Sequence, residues 1–343
     1  MNRNLSMLRP ALLLASAPLL LALLGCSPKS EPTPAAGEAG ATPALTRIVV
    51  QLDWVPEPEH GGFFQAQARG WFKDAGLDVV FLPGGAHTFG PHKVATRQAD
   101  IGQADSTTTL LAIAEGLPII HVGAVFQNDP SVLMLHADNP IERFEDLAGK
   151  TVMARPEWVF LPYLKKNYGV SVNIIPQNFA VANFIADKNF IQQGFYIAEP
   201  YFAIKGGAKP PKFLYVWDAG FDAYTALYAN RSWVRDHGPQ LKAFLAVYAA
   251  GWRDYIEGDP APGQAALKAA NPNNTDEFLA WSRQKIIDER LVGGRAFPAD
   301  DLSRAVSIEP ARFAGQIKML EDLGLVPVGK ITPDTVMTSE FLP

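Results

Sequence analysis

The chain has 343 residues, with 30 lysines and arginines against 35 aspartates and glutamates, for a formal net charge of −5 at pH 7. A single core stops growing near about 250–300 residues, so two lobes are expected. The interspersed acidic balance excludes the basic face that nucleic acid needs, and a single cysteine excludes a disulfide framework and downstream thiolate, zinc–cysteine or iron–sulfur chemistry.

Arg3 and Arg9 precede an apolar stretch from Ala11 to Leu24 that ends in Leu23-Leu24-Gly25-Cys26. The stretch is short for a spanning helix, which needs about 20 residues, and reads as an export signal. Its end resembles the lipobox of bacterial lipoproteins, which implies that Cys26 is acylated and that residues 1–26 are a signal peptide. Residues 27–45, rich in Pro, Ala, Gly and Glu with almost nothing to bury, read as a disordered tether.

Strand and helix signals then alternate. Arg47–Asp53 and Leu77–Leu82 are short β-branched runs flanking a helical segment with Phe63, Phe64, Trp71 and Phe72, stopped by Gly76. A helix near 91–98, a strand at 101–103, a helix at 106–115 and strands at 119–126 and 132–136 follow. A second series starts after Asn139-Pro140: helix 142–147, strand 151–154, helix 158–168, strand 172–175, helix 181–187, strand 194–198, helix 201–205 and strand 213–216. Tyr224–Ala229 is a strand that runs back toward the first lobe, and helices at 240–255, 264–270, 276–289 and 311–323 complete it. This alternation predicts α/β architecture with mostly parallel sheets flanked by helices, and a ligand cleft at strand carboxyl ends between the lobes.

No phosphate-binding loop, dinucleotide fingerprint, nucleophile elbow or HExxH motif occurs, and the six histidines lack metal-ligand spacing. No cofactor, metal site or catalytic residue is expected.

Gln51-Leu52-Asp53-Trp54-Val55-Pro56-Glu57-Pro58-Glu59-His60-Gly61-Gly62-Phe63-Phe64 is followed by Gly70-Trp71-Phe72, Gly76-Leu77, Ala99-Asp100-Ile101-Gly102, Glu115-Gly116-Leu117-Pro118, Asp146-Leu147-Ala148-Gly149-Lys150-Thr151-Val152 and Glu199-Pro200. Together these resemble the thiamine-pyrimidine-precursor branch of ABC-transporter substrate-binding proteins, related to the nitrate, sulfonate and taurine binders. The resemblance implies a two-lobed periplasmic-binding-protein fold of the two-crossover type (type II). Lobe 1 would comprise residues 46–136 plus 233–343, and lobe 2 residues 137–232. It implies a monomer that captures a small planar heterocycle, a thiamine pyrimidine precursor before riboflavin-like compounds or sulfonates. The partners implied are an ABC permease and its ATPase, with the membrane reached through the lipid anchor. Eukaryotic members of the family resemble pyrimidine synthases that use pyridoxal phosphate, a histidine, iron and a cysteine-rich run; the corresponding region here, 194–200, has no cysteine. A ligand-presenting sensor is a third reading.

Within that frame Trp54, past a strand end, is placed to stack on a planar ligand or to pack in the lobe core. His60 either donates to ligand or orients its loop. Glu57 and Glu59 stand where the family often has Asn, and two acids there favour a cationic or amine-rich ligand or are solvated loop residues. Gly85, in Pro83-Gly84-Gly85-Ala86, offers free N–H groups or a tight turn. Asp105 and Ser106 cap a helix or face the cleft. Phe126 ends a strand near the expected crossover, where a hinge role competes with ligand contact. In the second lobe Trp158, Phe179 and Asp222 are cleft candidates. Glu199, at the end of strand 194–198, is placed to accept paired hydrogen bonds from an amino-heterocycle or to sit at a helix start.

Overall fold

The computed structural model describes residues 44–298 and 301–343. The export signal, Cys26 and all but the last two residues of the tether lie outside the described residues.

The described strands are, in chain order, β1 (Thr46–Gln51), β2 (Leu77–Leu82), β3 (Ile101–Asp105), β4 (Ile119–Phe126), β5 (Ser131–Leu135), β6 (Thr151–Ala154), β7 (Asn173–Pro176), β8 (Ile191–Phe195), β9 (Lys212–Tyr215) and β10 (Thr225–Asn230). They form two five-stranded sheets, ordered β2-β1-β3-β10-β4 and β7-β6-β8-β5-β9. β1 is parallel to β2 and β3, and β6 to β7 and β8. β10 is antiparallel to β3 and β4, and β5 to β8 and β9. Both sheets are therefore mixed. The reversed strand in each is the one that enters directly after a crossover, because a chain arriving from the other lobe meets the sheet from its opposite end.

The chain crosses between sheets at 127–130 and 220–224, and the Asp129 N–H donates to the Ala223 carbonyl at 3.2 Å, tying the crossovers together. The strand at 131–135, assigned to lobe 1 by the expected boundary at 136, pairs in the second sheet. The short helix expected at 142–147 is a single 3-10 turn, Phe144–Leu147.

Helices return to the first sheet after β10. Helix Gly238–Glu257 lies against Gly61–Ala68 at backbone distance: a Cβ on Gly251 would sit 2.2 Å from the Gly62 carbonyl oxygen. Phe63 stacks on Tyr248 there, ring centroids 4.0 Å apart. Helix Pro310–Asp322 is held by the Ser106 hydroxyl, which donates to Gln316 Oε1 at 2.7 Å. Among the described residues no helix is long and apolar enough to cross a membrane.

Candidate functional site

A cavity of about 580 Å³ opens where the carboxyl ends of β1 and β3 face β8 and the loops after β6 and β7. Its first-sheet wall is Asp53, Trp54, Glu57, Glu59, Gly85, Gln103 and Asp105. Its second-sheet wall is Arg155, Gln177, Phe179, Gln193, Phe195 and Glu199, and Asp129 lies at the crossover between them. Strand carboxyl ends are where open α/β sheets leave room for ligands, and the volume is within the range of small-molecule sites.

The loop after β1 is fixed from below. Gly84 N–H donates to the Trp54 carbonyl (2.8 Å) and Gly85 N–H to the Asp53 carbonyl (3.3 Å). These amides are spent on the protein's own backbone, so the expected free N–H groups are not open to a ligand. A Cβ on Gly84 would lie 2.4 Å from the Asp53 carbonyl carbon, which is why the loop needs glycine at that point. Buried Gln51 donates to the carbonyls of Leu52, Leu82 and Pro83, and Lys93 donates to its Oε1.

His60 is fully buried. The Glu57 backbone N–H donates to its Nδ1 at 3.2 Å, which leaves Nε2 to carry the hydrogen and donate to Asp53 Oδ1 at 3.1 Å. Of the two roles open to it from sequence, the geometry matches loop orientation: His60 holds Asp53 in the cavity wall and does not line the cavity itself.

Trp54 and Phe179 meet across the gap with ring centroids 4.7 Å apart and planes tilted by 40°. Phe179 has φ of +57°, a left-handed conformation uncommon for an aromatic residue, next to a turn in which the Ala180 N–H donates to Asn178 Oδ1. The strain is the sort retained where a side chain must be held in one place.

Four carboxyl groups share this corner. Burial pushes Glu57 up to about 8, with Glu199 and Asp53 adding repulsion. Glu59, 4% exposed, is raised well above the ordinary range by burial, then by Glu57 and Asp53. Glu199 is raised by burial although it accepts the Phe195 N–H at 2.6 Å. At the crossover Asp129 is pushed up to about 6 by burial and by Asp105, against the pull of Ser131 and Arg155. Among the described residues no three His, Cys, Asp or Glu side chains are grouped so as to hold a metal ion.

Of the residues singled out from sequence, Trp54, Glu57, Gly85, Asp105, Phe179 and Glu199 line the cavity, whereas His60, Ser106, Phe126, Trp158 and Asp222 do not. Asp105 caps helix Ser106–Ala114, accepting from the N–H groups of Thr107 and Thr108. Ser106 points the other way, into the contact with Gln316. Phe126 is fully buried against Trp252 (5.6 Å), and Trp158 packs on Phe160 (4.9 Å). Asp222 is exposed and paired with Arg312. Glu199 begins helix Glu199–Lys205 rather than ending a strand, because β8 closes at Phe195.

Seven of these wall residues are not anticipated from sequence, namely Asp53, Gln103, Asp129, Arg155, Gln177, Gln193 and Phe195, and three of them bear on recognition. Asp53 lies within the Leu-Asp-Trp run, which by itself assigns it no role. Arg155 lies just after β6, a strand-end position that could have signalled it. Gln103 is 1% exposed, and neither its amide nitrogen nor its amide oxygen has a hydrogen-bond partner.

A profile of the family described as NMT1/THI5 like matches residues 57–261. A formylaminopyrimidine-binding protein of Halalkalibacterium halodurans is 25% identical over 223 residues, 62% of this chain and 68% of that protein. A 4-amino-5-hydroxymethyl-2-methylpyrimidine phosphate synthase of Saccharomyces cerevisiae is 30% identical over 127 residues, 36% of this chain and 37% of the synthase. Matches to the synthase and to a thiamine biosynthesis protein of Haemophilus influenzae span only about a third of those relatives' lengths, 37% and 35%. The periplasmic aliphatic sulphonate binding protein SsuA of Escherichia coli superimposes with a TM-score of 0.62 at 16% identity, over 87% of this chain and 93% of SsuA. The nitrate-binding protein NrtA of Synechocystis gives 0.59 at 14% identity, over 88% of each chain. The fold is thus that of the periplasmic binding proteins, and with more than half of its length matched by the profile, the chain belongs to the NMT1/THI5-like family.

Proposed function

We propose that this chain is the solute-binding component of an ABC-type importer, exported and anchored through lipid on Cys26, and that it closes on a flat amino-heterocycle. The observation that carries the reading is the cavity walled by both sheets, with Trp54 and Phe179 in ring contact across it. A planar ligand that parts these rings gains a stacking face on each side, worth about 0.5–1.5 kcal/mol per pair beyond area burial. Glu199, opposite, accepts from ring amines. Closure hinges on the two crossovers at 127–130 and 220–224, and the closed form is what a permease recognises. The formylaminopyrimidine-binding relative favours a substituted pyrimidine over flavins and sulfonates. Binding without turnover is preferred to the synthase reading because His60, the histidine of the family loop, is buried and committed to Asp53.

Native mass spectrometry of the purified protein should reveal a co-purified small molecule, and the matching compound at 100 times its Kd should add about 2.7 kcal/mol of stability. Trp54→Ala and Glu199→Gln are each expected to weaken its binding about tenfold or more with folding retained. Wild-type affinity in both variants would remove the ligand from this cavity. Separately, Cys26→Ser should abolish incorporation of labelled fatty acid, and unchanged labelling would refute the anchor.

A further inference from the structure

We propose that the ligand carries a positive charge, an ammonium or protonated ring nitrogen, and that Glu57 and Glu59 make the site selective for it. The inference rests on the binding reading above and names the class of solute.

Asp53, Glu57 and Glu59 in the first-sheet wall and Glu199 in the second bring carboxylates of both lobes to one corner of the cavity. Glu57 is repelled by Glu199 and Asp53, and Glu59 by Glu57, Asp53 and Glu199, while among the described residues no lysine or arginine lies within 4.0 Å of either carboxylate. The nearest basic group to Glu59 is His60 Nδ1 at 4.0 Å, and that nitrogen already accepts from the Glu57 backbone. Arg155, the cation in the opposite wall, acts on Asp129 instead. Buried like charges disfavour one another's ionised forms, and an opposite charge placed among them relieves the repulsion.

Two further observations indicate that an organic ligand, not a metal ion, supplies that charge. The described carboxylates are not grouped as metal ligands. Gln103, in the same cavity, keeps an unpaired donor and an unpaired acceptor in a side chain that is 1% exposed. An amide with both ends open suits the adjacent donor and acceptor of a nitrogen heterocycle. Trp54 adds an aromatic face, which attracts a cation further. Asparagine at positions 57 and 59 would serve a neutral ring without burying two groups that repel one another when ionised.

The test is calorimetric titration of the intact chain with 4-amino-5-aminomethyl-2-methylpyrimidine, a primary ammonium at pH 7, and with its neutral 5-hydroxymethyl and N-formylaminomethyl counterparts, alongside flavin and sulfonate controls. The ammonium compound is expected to bind at least about tenfold tighter than either neutral one, as charge-assisted hydrogen bonds exceed neutral ones. In the Glu57→Gln, Glu59→Gln double variant that preference should shrink to within about threefold; melting curves confirm that the variant folds. Equal or tighter binding of a neutral or anionic compound overturns the charge selection and leaves the cavity as a binding site. Heat from none of the panel overturns the binding reading as well.

Discussion

Replacing Gln103 with methionine should raise the melting temperature of the empty protein while costing the ligand at least about tenfold in affinity. Its amide buries a donor and an acceptor that find no partner, and a buried polar group left unpaired costs about 1–3 kcal/mol. Methionine is close in length and volume and brings no polar atom, so the empty fold loses the penalty without gaining a void. The amide faces a cavity and not packed atoms, so the gain belongs at the low end of that range, about 1 kcal/mol and a few degrees in Tm. With ligand bound the sign reverses: the amide pairs, and removing it leaves the ligand's own edge unsatisfied, at about 1.4 kcal/mol for each tenfold in Kd. Opposite movement of stability and affinity marks a residue kept for binding at the expense of the fold. A lower Tm with unchanged affinity would make Gln103 a structural residue and remove its part in recognition. Thermal melts and calorimetry on the same preparation decide between these.

Much of the architecture was legible because apolar β-branched runs bounded by Gly, Pro and Asn need no tertiary information: Leu77–Leu82, Ile119–Phe126 and Thr151–Ala154 were read to the residue. β8 was displaced by three residues for a physical reason. Its sequence, Ile191-Gln192-Gln193-Gly194-Phe195, places two glutamines in a central strand, while the apolar Tyr196-Ile197-Ala198 just beyond gives the stronger strand signal. The structure makes those glutamines acceptable by spending them on neighbouring loops: Gln193 Oε1 accepts the Arg155 N–H, and Gln192 donates to the Ala180 carbonyl. Such partners are far apart in sequence and leave no periodic trace. The site divides the same way. Trp54, Glu57 and Glu199 could be reached through a motif, but position near a strand end does not say which way a side chain points. Asp105 faces the cavity and its neighbour Ser106 faces the core, because adjacent residues at the turn from strand to helix leave on different sides. Phe126 and Trp158 fell to the core for the ordinary reason that large aromatics there bury more apolar area than they would at a cavity rim.

Between pH 6.5 and 8 the empty protein should melt at progressively lower temperature, while a cationic ligand should bind progressively tighter. Glu57 titrates at about 8 in the folded protein against an ordinary value of 4.5, raised by burial first and then by Glu199 and Asp53. Glu59 and Glu199 move in the same direction, both chiefly through burial. The folded state therefore holds protons that the unfolded chain has already released. Its stability is fullest below the unfolded value and is lost as pH rises through the folded one. Asp129, raised to about 6, contributes mainly below this window. His121, lowered by burial to about 4, acts with the opposite sign, mainly below its ordinary value of 6.5. Tyr228 and Tyr255, which feel Asp53 and Glu59, are raised by burial and keep their protons throughout, and His60 is bonded to Asp53 in that same corner. An arriving cation favours the ionised carboxylates and expels their protons, so its affinity gains up to about tenfold per pH unit for each proton released. Calorimetry at pH 7 in buffers of different ionisation heat should count that release at near one proton per ligand, and Glu57→Gln should both reduce the count and flatten the melting profile. A melting temperature that climbs from pH 6.5 to 8, or ligand uptake with no proton exchange, would mean that these carboxyl groups enter the complex in the same ionisation state they hold in its absence, and that the ligand's charge is not what they read.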